Sequence, residues 1–350
     1  MEAKNNSIDW ISKAKGLGIL GVVAVHVVQK FSAGAFSEIA FAGQYCVQLF
    51  FAISAYLAFK SLDRNNVDWN VKSYIKYLAH KIVRLIPVLY TAVLFHILFQ
   101  SLKQGAVPAA NDEIWLDALF ALSFLNGFSY HHINPWANWY IGTLVIFIAL
   151  APLIKKFLNS PKRAVATFAL STVISYALVH ILEKCGIDTG WYFYLWFPNQ
   201  FPAMMIGIVF YYFEKYKETE DIKHSAFTFL FVVAFGFLLA KCFASVLQGH
   251  IQYGILLFAF SYALFDKANT GKIFDWLKIL GKNSYGIYLY HACFIPIIAK
   301  FTKIIGLGDN FIGFAFCYIL LIGLSLLCSI IANALIEKPF FNFMKNKFGV

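Results

Sequence analysis

The sequence predicts an all-α integral membrane protein of about ten transmembrane helices, with both termini cytoplasmic. Three observations carry this expectation. Of the 350 residues, 60% are hydrophobic and only 13% are charged, against about 25% charged residues in soluble domains. Apolar runs long enough to cross about 30 Å of hydrocarbon, roughly 17 to 25 residues each, recur along the chain. The basic residues alternate between loops: 23 of the 29 Lys and Arg fall on one set, and the other set holds only Lys30, Lys103, Lys184, Lys241, Lys300 and Lys303. That alternation is the positive-inside pattern repeated at every crossing, and with both termini on the basic side it demands an even number of spans.

In order, the expected spans are 14–31, 40–60, 82–100, 138–156, 164–183, 198–213, 225–243, 250–266, 284–302 and 311–336. The sixth and eighth are short for a crossing. Together they use nearly all of residues 1–350, which predicts a single transmembrane domain with no appended soluble one. The first span follows a polar, Lys-containing tail and has no small-residue cleavage site, so it is expected to remain as a membrane helix. The net charge of +11 is then topology. The expected surroundings are membrane lipids, and no nucleic-acid partner is implied. Cys46, Cys293, Cys317 and Cys328 lie in spans, with Cys185 and Cys242 near the outer side. There is no C-x-x-C and no His/Cys cluster at zinc spacing, so no metal is expected. A Cys185–Cys242 disulfide is compatible with that placement. No internal repeat is visible, which weighs against a transporter built from inverted repeats.

The first span, "AKGLGILGVVAVHVVQKF" (Ala14–Phe31), contains a literal G-x-G-x-x-G from Gly16 to Gly21. A dinucleotide loop needs a preceding strand and a surrounding βαβ unit. Inside a membrane helix, small residues instead admit a neighbour at close range. His26 is the group that needs an explanation, because ionisable residues within spans usually face a cavity and mark chemistry or transport. It follows Lys15 by about three helical turns, roughly 16 Å. That spacing places Lys15 at the cytoplasmic interface and His26 on the same stripe near mid-bilayer. None of the 18 Asp and Glu lies in the middle of an expected span. The carboxylate common in proton-coupled transporters is therefore missing.

Along the later spans, Gln44 and Gln48 are expected on one face of the second, as cavity lining or as hydrogen bonds between helices. Lys81 and Arg84 stand one turn apart where the third span leaves the cytoplasm. Such charges set topology and snorkel, and they also suit an anionic cytosolic ligand, Arg as a planar fork and Lys as a point charge. The outer loop "NGFSYHHINPWANWY" (Asn126–Tyr140) belongs in part to the aromatic belt. Trp136, Asn138 and Trp139 within it also offer the aromatic faces and amide groups that suit a carbohydrate. In the ninth span, "GKNSYGIYLYHACFIPII" (Gly281–Ile298), Ser284, Tyr288 and His291 share one helical face. His291 stands about 10 Å beyond Ser284, a depth comparable with that of His26. For Ser284 and Tyr288, bonding between helices and a role in the site are both open.

Taken together, these pieces resemble the acyltransferase 3 family, the integral-membrane O-acyltransferases of cell-surface polysaccharides, over essentially the whole chain. Lys15-x10-His26 matches the family's Arg/Lys-x10-His on the first span. "QLFFAISAYLAF" (Gln48–Phe59) is similar to its FF-x-x-SG-x-L segment. Lys81-Ile82-Val83-Arg84 with Pro87 resembles its R-x-x-R and Pro, and "NWYIGTLVIFIALAPLI" (Asn138–Ile154) its W-x-L…F…P span. "NSYGIYLYH" (Asn283–His291) resembles SY-x-x-YL-x-H, and Ile336-Glu337-Lys338-Pro339 the terminal I-E-R-P. Lys15 and Lys81 replace Arg of many members, Ala55 replaces Gly, and Leu144 stands where Glu is often found. No esterase-like domain is expected to follow.

The resemblance implies transfer of an acyl group, most often acetyl, from cytosolic acyl-CoA to a hydroxyl of a glycan or lipid-linked oligosaccharide outside. It implies a bacterial cytoplasmic membrane, acetyl-CoA or another acyl-CoA as donor substrate, and no permanently bound cofactor; a homo-oligomer is compatible with it. Lys15, Lys81 and Arg84 would hold the CoA phosphates. His26 would act as general base or as an acyl carrier, with His291 and Ser284 orienting it or the substrate. Gln48, Tyr288, Trp136, Asn138 and Trp139 would contact the acceptor. The rival reading is a multi-span transporter or flippase of a lipid-linked sugar, without acyl transfer.

Overall fold

A computed structural model describes residues 2–64, 70–109, 112–128, 139–187, 190–219, 248–267 and 272–348. Among them all regular structure is helical and no strand occurs. In chain order the α-helices are α1 (Glu2–Val28), α2 (Ser37–Ala42), α3 (Cys46–Arg64), α4 (Val71–Ile82), α5 (Ile86–Gln104), α6 (Glu113–Leu122), α7 (Trp139–Phe157) and α8 (Pro161–Lys184). They continue as α9 (Gly190–Leu195), α10 (Phe197–Thr219), α11 (Gly249–Tyr262), α12 (Trp276–Lys282), α13 (Ser284–Ile304), α14 (Phe311–Ala332) and α15 (Lys338–Phe348).

Seven helical stretches among the described residues are long and apolar enough to cross a membrane: Asp9–Val28, Gly34–Arg64, Ile86–Gln104, Trp139–Phe157, Pro161–Lys184, Ser284–Ile304 and Phe311–Lys347. The chain is an integral membrane protein. The expected spans at 198–213 and 250–266 are helical as α10 and α11. The first opens on Pro198, Asn199 and Gln200 and ends in charged residues, and the second has only 14 α-helical residues before a π-turn. The expected span 225–243, and Cys242 with it, lies outside the described residues. Cys185 is exposed.

Local chemistry sets the boundaries. The third crossing starts at Ile86 rather than at 82 because Pro87 occupies the first turn of α5, where its missing N–H costs nothing and its φ is already helical. Asp112 caps α6 by accepting from the Ile114 N–H at 3.0 Å, satisfying an otherwise orphaned donor. Ser160 does the same for α8 through Arg163 N at 3.3 Å.

The chain forms two compact units: Met1–Lys15, Tyr45–Asn70 and Ile146–Lys278 in one, Gly16–Gln44, Val71–Val145 and Ile279–Val350 in the other. In the first, α10 packs on α3 and α8, and α11 packs on α3. Gly207 makes this possible: a Cβ there would stand 2.7 Å from the Ala52 carbonyl carbon and 3.0 Å from Tyr56 N. Buried Trp10 meets the rings of Tyr56, Phe210, Phe258 and Tyr262 at 5.4–6.2 Å. Charged groups gather at helix ends. Asp63 accepts from Lys155, Lys215 and Tyr211, and Glu214 accepts from Tyr56 at 2.5 Å and Lys60 at 2.9 Å. Asp275 pairs with Lys13 and Lys278, each at 3.1 Å, and Lys278 reaches Asp9 at 2.5 Å. Hydrogen bonds from Lys13 and Lys278 hold the Asp275 carboxyl below the usual carboxylate range, and the bond to Asp9 raises the Lys278 ammonium.

In the second unit α13 packs along α14 and against α5. Gly286 brings α13 onto α14, since a Cβ there would lie 2.7 Å from Ser329 Cβ. On the α5 side, Tyr285 donates to the Leu85 carbonyl at 2.8 Å and the Tyr290 hydroxyl meets Thr91 at 2.7 Å. The N-terminal glycine string behaves as a packing surface. A Cβ on Gly43 would come within 2.7 Å of the Gly21 carbonyl carbon and 3.2 Å of its Cα, the close approach that small residues permit.

Candidate active site

His26 lies on α1 and His291 on α13, both in the second unit. Several contacts fix the His26 end of α1. Tyr318 of α14 donates to the Leu20 carbonyl at 3.0 Å. Beyond the helix, Phe31 is buried against Gly313, whose Cβ would meet its ring at 3.1 Å. The Ser32 N–H donates to Asp309 at 2.6 Å. His291 is held from the other side by the packing of α13 on α5 and α14.

The two imidazoles stand together, their ring centroids 5.2 Å apart and their planes inclined at 38°. His291 is fully buried and His26 half-buried. The Nδ1 of His291 is 3.1 Å from the Ile287 carbonyl oxygen. A carbonyl only accepts, so Nδ1 carries the proton, and in the neutral ring Nε2 then bears the lone pair. That Nε2 is buried and has no hydrogen-bond partner among the described residues. Gln29, one turn beyond His26, hydrogen-bonds the His26 ring.

Tyr288 extends this row: its ring centroid is 5.9 Å from that of His291, and Tyr140 of α7 meets it edge-on at 5.5 Å. Ser284, Tyr288 and His291 are all buried, as one shared inward face requires. The structure thus brings together His26, His291 and Tyr288 within one unit. Tyr140 joins them. Sequence reasoning passed over it as one more aromatic of a belt, although its place at the first turn of α7 was a usable signal.

Lys15 is the last residue of the first unit and is half-buried, with no ion pair to a described residue. Lys81 and Arg84 belong to the second. Lys81 stands in the last turn of α4 with its ammonium 5.7 Å from the Tyr77 ring centre. Arg84, in the turn before α5, is exposed and donates to His80 Nε2 at 3.0 Å. Burial pushes the Tyr77 hydroxyl up. Trp139 is buried at the start of α7; Trp136 and Asn138 lie outside the described residues.

Gln44 and Gln48 do not share a face. Gln44 sits in a 3-10 turn, Gly43–Tyr45, and is exposed, whereas Gln48 in α3 is fully buried. The tighter turn ahead of α3 breaks the 100° step that the spacing assumed. Gln48 instead joins a polar cluster of the first unit. Its amide nitrogen donates to Tyr194 Oη at 2.8 Å and Gln200 Oε1 at 3.0 Å. Gln200 donates to the Tyr194 carbonyl at 2.5 Å. Its oxygen therefore faces Gln48, and the Gln48 Oε1 is left buried without a partner among the described residues. Nearby, Ser175 donates to Asn199 at 2.6 Å, His250 Nε2 lies 3.1 Å from the Asn199 carbonyl, and Tyr45 stacks on Tyr253 at 4.2 Å.

Among the described residues no group of His, Cys, Asp and Glu could hold a metal ion. The family model described as an acyltransferase domain matches residues 8–333, nearly the whole chain. No curated protein and no solved structure matches it.

Proposed function

The chain belongs to the acyltransferase 3 family and so is a membrane acyltransferase; from this premise we propose that it transfers an acyl group, acetyl first, from cytosolic acyl-CoA to a hydroxyl of an extracytoplasmic glycan or lipid-linked oligosaccharide. The observation that carries this reading is the His26–His291 pair. Two imidazoles meet inside a helical unit that supplies no carboxylate from the middle of a span. Neutral imidazole is the side chain suited to proton transfer near pH 7, and burial between helices keeps water from competing for the thioester.

In the proposed reaction the acceptor oxygen attacks the thioester carbonyl carbon while a His26 nitrogen takes its proton. The tetrahedral intermediate expels the CoA sulfur, and His26 returns the proton to that thiolate. General base assistance of this kind is worth about 10²–10⁴-fold. In the covalent variant the same nitrogen carries the acyl group and then yields it to the acceptor. Lys15, Lys81 and Arg84 are the proposed donors to the CoA phosphates. A half-buried lysine without a carboxylate partner gains most from an anionic ligand. Ser284 and Tyr288 bound the reacting groups. Gln48, whose amide oxygen has no partner among the described residues, is the proposed acceptor contact of the first unit, and Trp136, Asn138 and Trp139 are proposed as stacking and amide contacts for sugar rings. The site is proposed to work in a bacterial cytoplasmic membrane.

The test is acyl transfer by the purified protein in liposomes with radiolabelled acetyl-CoA and glycan extracts, wild type beside a folded His26→Ala. Label is expected to reach glycan or protein in the wild type and to fall at least 10²-fold in the variant. Equal labelling would return His26 to packing. No labelling with several acyl-CoAs would favour movement of a lipid-linked sugar without acyl transfer.

A further inference from the structure

The tautomer of His291 is fixed, because Nδ1–H is committed to the Ile287 carbonyl. One consequence is a buried lone pair on Nε2 with no donor facing it among the described residues. Leaving such an acceptor unsatisfied is costly, so the arrangement makes physical sense if a donor arrives during the work of the site. The nearest polar ring is His26. Two imidazoles joined in line by one N–H···N bond of about 2.9 Å, each nitrogen about 1.1 Å from its ring centre, have centroids about 5.1 Å apart. The observed separation is 5.2 Å. The separation is that of such a bond, and Gln29 already hydrogen-bonds the His26 ring.

We propose that in the acting state His26 donates an N–H hydrogen bond to Nε2 of His291, so that His291 is the positioning residue of a histidine–histidine dyad. The inference rests on the acyl-transfer reading given above. In serine–histidine–aspartate sites a buried carboxylate holds the catalytic imidazole in one tautomer. Here a neutral ring, itself locked by a backbone carbonyl, performs that function. The bond directs the second His26 nitrogen, with its lone pair, at the reacting centre. When that nitrogen takes the acceptor proton, His26 becomes an imidazolium with both N–H groups intact, one still on His291 Nε2. The other proton leaves on the CoA sulfur. No proton passes to His291, and no oxidant or further reactant enters.

The experiment compares wild type, His291→Gln, His291→Phe and His26→Ala, each checked for folding by size exclusion and thermal unfolding. Gln keeps a carbonyl acceptor, whereas Phe keeps a flat ring without a lone pair. The expected result is a fall in kcat of about 10²-fold for Phe, an unchanged KM for acyl-CoA, and recovery to within about tenfold of wild type for Gln. A Phe variant as active as wild type would overturn the dyad. So would a folded Gln variant as inactive as Phe, since the ring itself would then be required. Nitrogen NMR of ¹⁵N-histidine-labelled protein supplies a readout independent of activity. It should show one unprotonated nitrogen on His291 and, with an acyl-CoA analogue bound, a coupling across the N–H···N bond to His26. Absence of that coupling overturns the dyad, whereas loss of acyl transfer in wild type itself overturns the underlying reading and leaves the coupling to be judged separately.

Discussion

Gly286→Ala tests the packing that holds His291 in place. The new methyl would sit 2.7 Å from Ser329 Cβ and 3.2 Å from its Cα, where a carbon pair needs about 3.5–4.0 Å. No rotamer change relieves this, because Ser329 Cβ is fixed to the α14 backbone. The two helices must part by about 1 Å. Overpacking of this kind costs about 1–3 kcal/mol. The separation also breaks the bonds from Ser329 Oγ to the Asn283 carbonyl and side chain, at 3.3 and 3.2 Å, for about 1 kcal/mol more. The helix preference of Ala over Gly returns up to about 1 kcal/mol, so a net loss of about 1–4 kcal/mol is expected. The assay is equilibrium unfolding in detergent, read by exposure of the buried thiols Cys293 and Cys317, one on each of the two helices. Ser329→Gly removes the obstructing carbon, so the double variant should recover about 2 kcal/mol relative to the sum of the singles. Strict additivity, or a Gly286→Ala protein within about 0.5 kcal/mol of wild type, would refute the contact.

Further outcomes follow from the other unit. Asp275→Asn should flatten the acid limb of stability. A carboxylate held below its free range contributes stability above its unfolded pKa, about 3.9, and loses it as pH falls through the folded value; the wild-type melting temperature should therefore drop between about pH 5 and 2 more steeply than the variant's. Gln48→Leu leaves Gln200 Oε1 without its donor and should cost about 1–3 kcal/mol, raising KM for the acceptor while acyl-CoA hydrolysis is unchanged. An acceptor KM equal to wild type would remove Gln48 from substrate contact. Gly207→Ala, with a methyl 2.7 Å from the Ala52 carbonyl carbon, should unfold or severely destabilise the first unit, and normal expression with an unshifted melting temperature would count against the helix approach described.

What was legible in the sequence is what depends on length, hydropathy and helical period. His26 and His291 could be paired because two residue counts, each multiplied by a fixed rise, gave similar depths. Ser284, Tyr288 and His291 share a face for the same reason. The short helices α4, α6, α9, α12 and α15 escaped that reading, since a search for apolar runs of membrane length ignores helices of 6 to 12 residues. The alternation in α4 was visible in hindsight: Tyr77 turns inward while Lys72 and Lys76 are exposed. The Gln44–Gln48 pairing failed where a 3-10 turn changed the period. Contacts across long sequence separations, such as Gln48 with Gln200 or Tyr140 with Tyr288, have no periodic signature.

A neutral positioning group has a physical rationale in this setting. A carboxylate placed beside His26 among packed apolar helices would have to be stripped of water, at several kcal/mol even after relaxation, and the imidazolium repays that only while it exists. His291 carries no charge to desolvate. Its Nδ1–H is satisfied by the backbone of its own helix, so the whole resting cost is one unused lone pair. The return is smaller as well, because a neutral acceptor stabilises an imidazolium less than a carboxylate does. That exchange suits the proposed transfer, in which a thioester would supply much of the driving force and the base would need direction more than strength. In the first unit Asp63, Glu214 and Asp275 each find a Lys partner, so the carboxylates described there are neutralised in pairs. An aspartate introduced at position 291 should accordingly destabilise the fold more than it strengthens the base, and His291→Asp is expected to be less stable and no more active than His291→Gln in the same transfer assay.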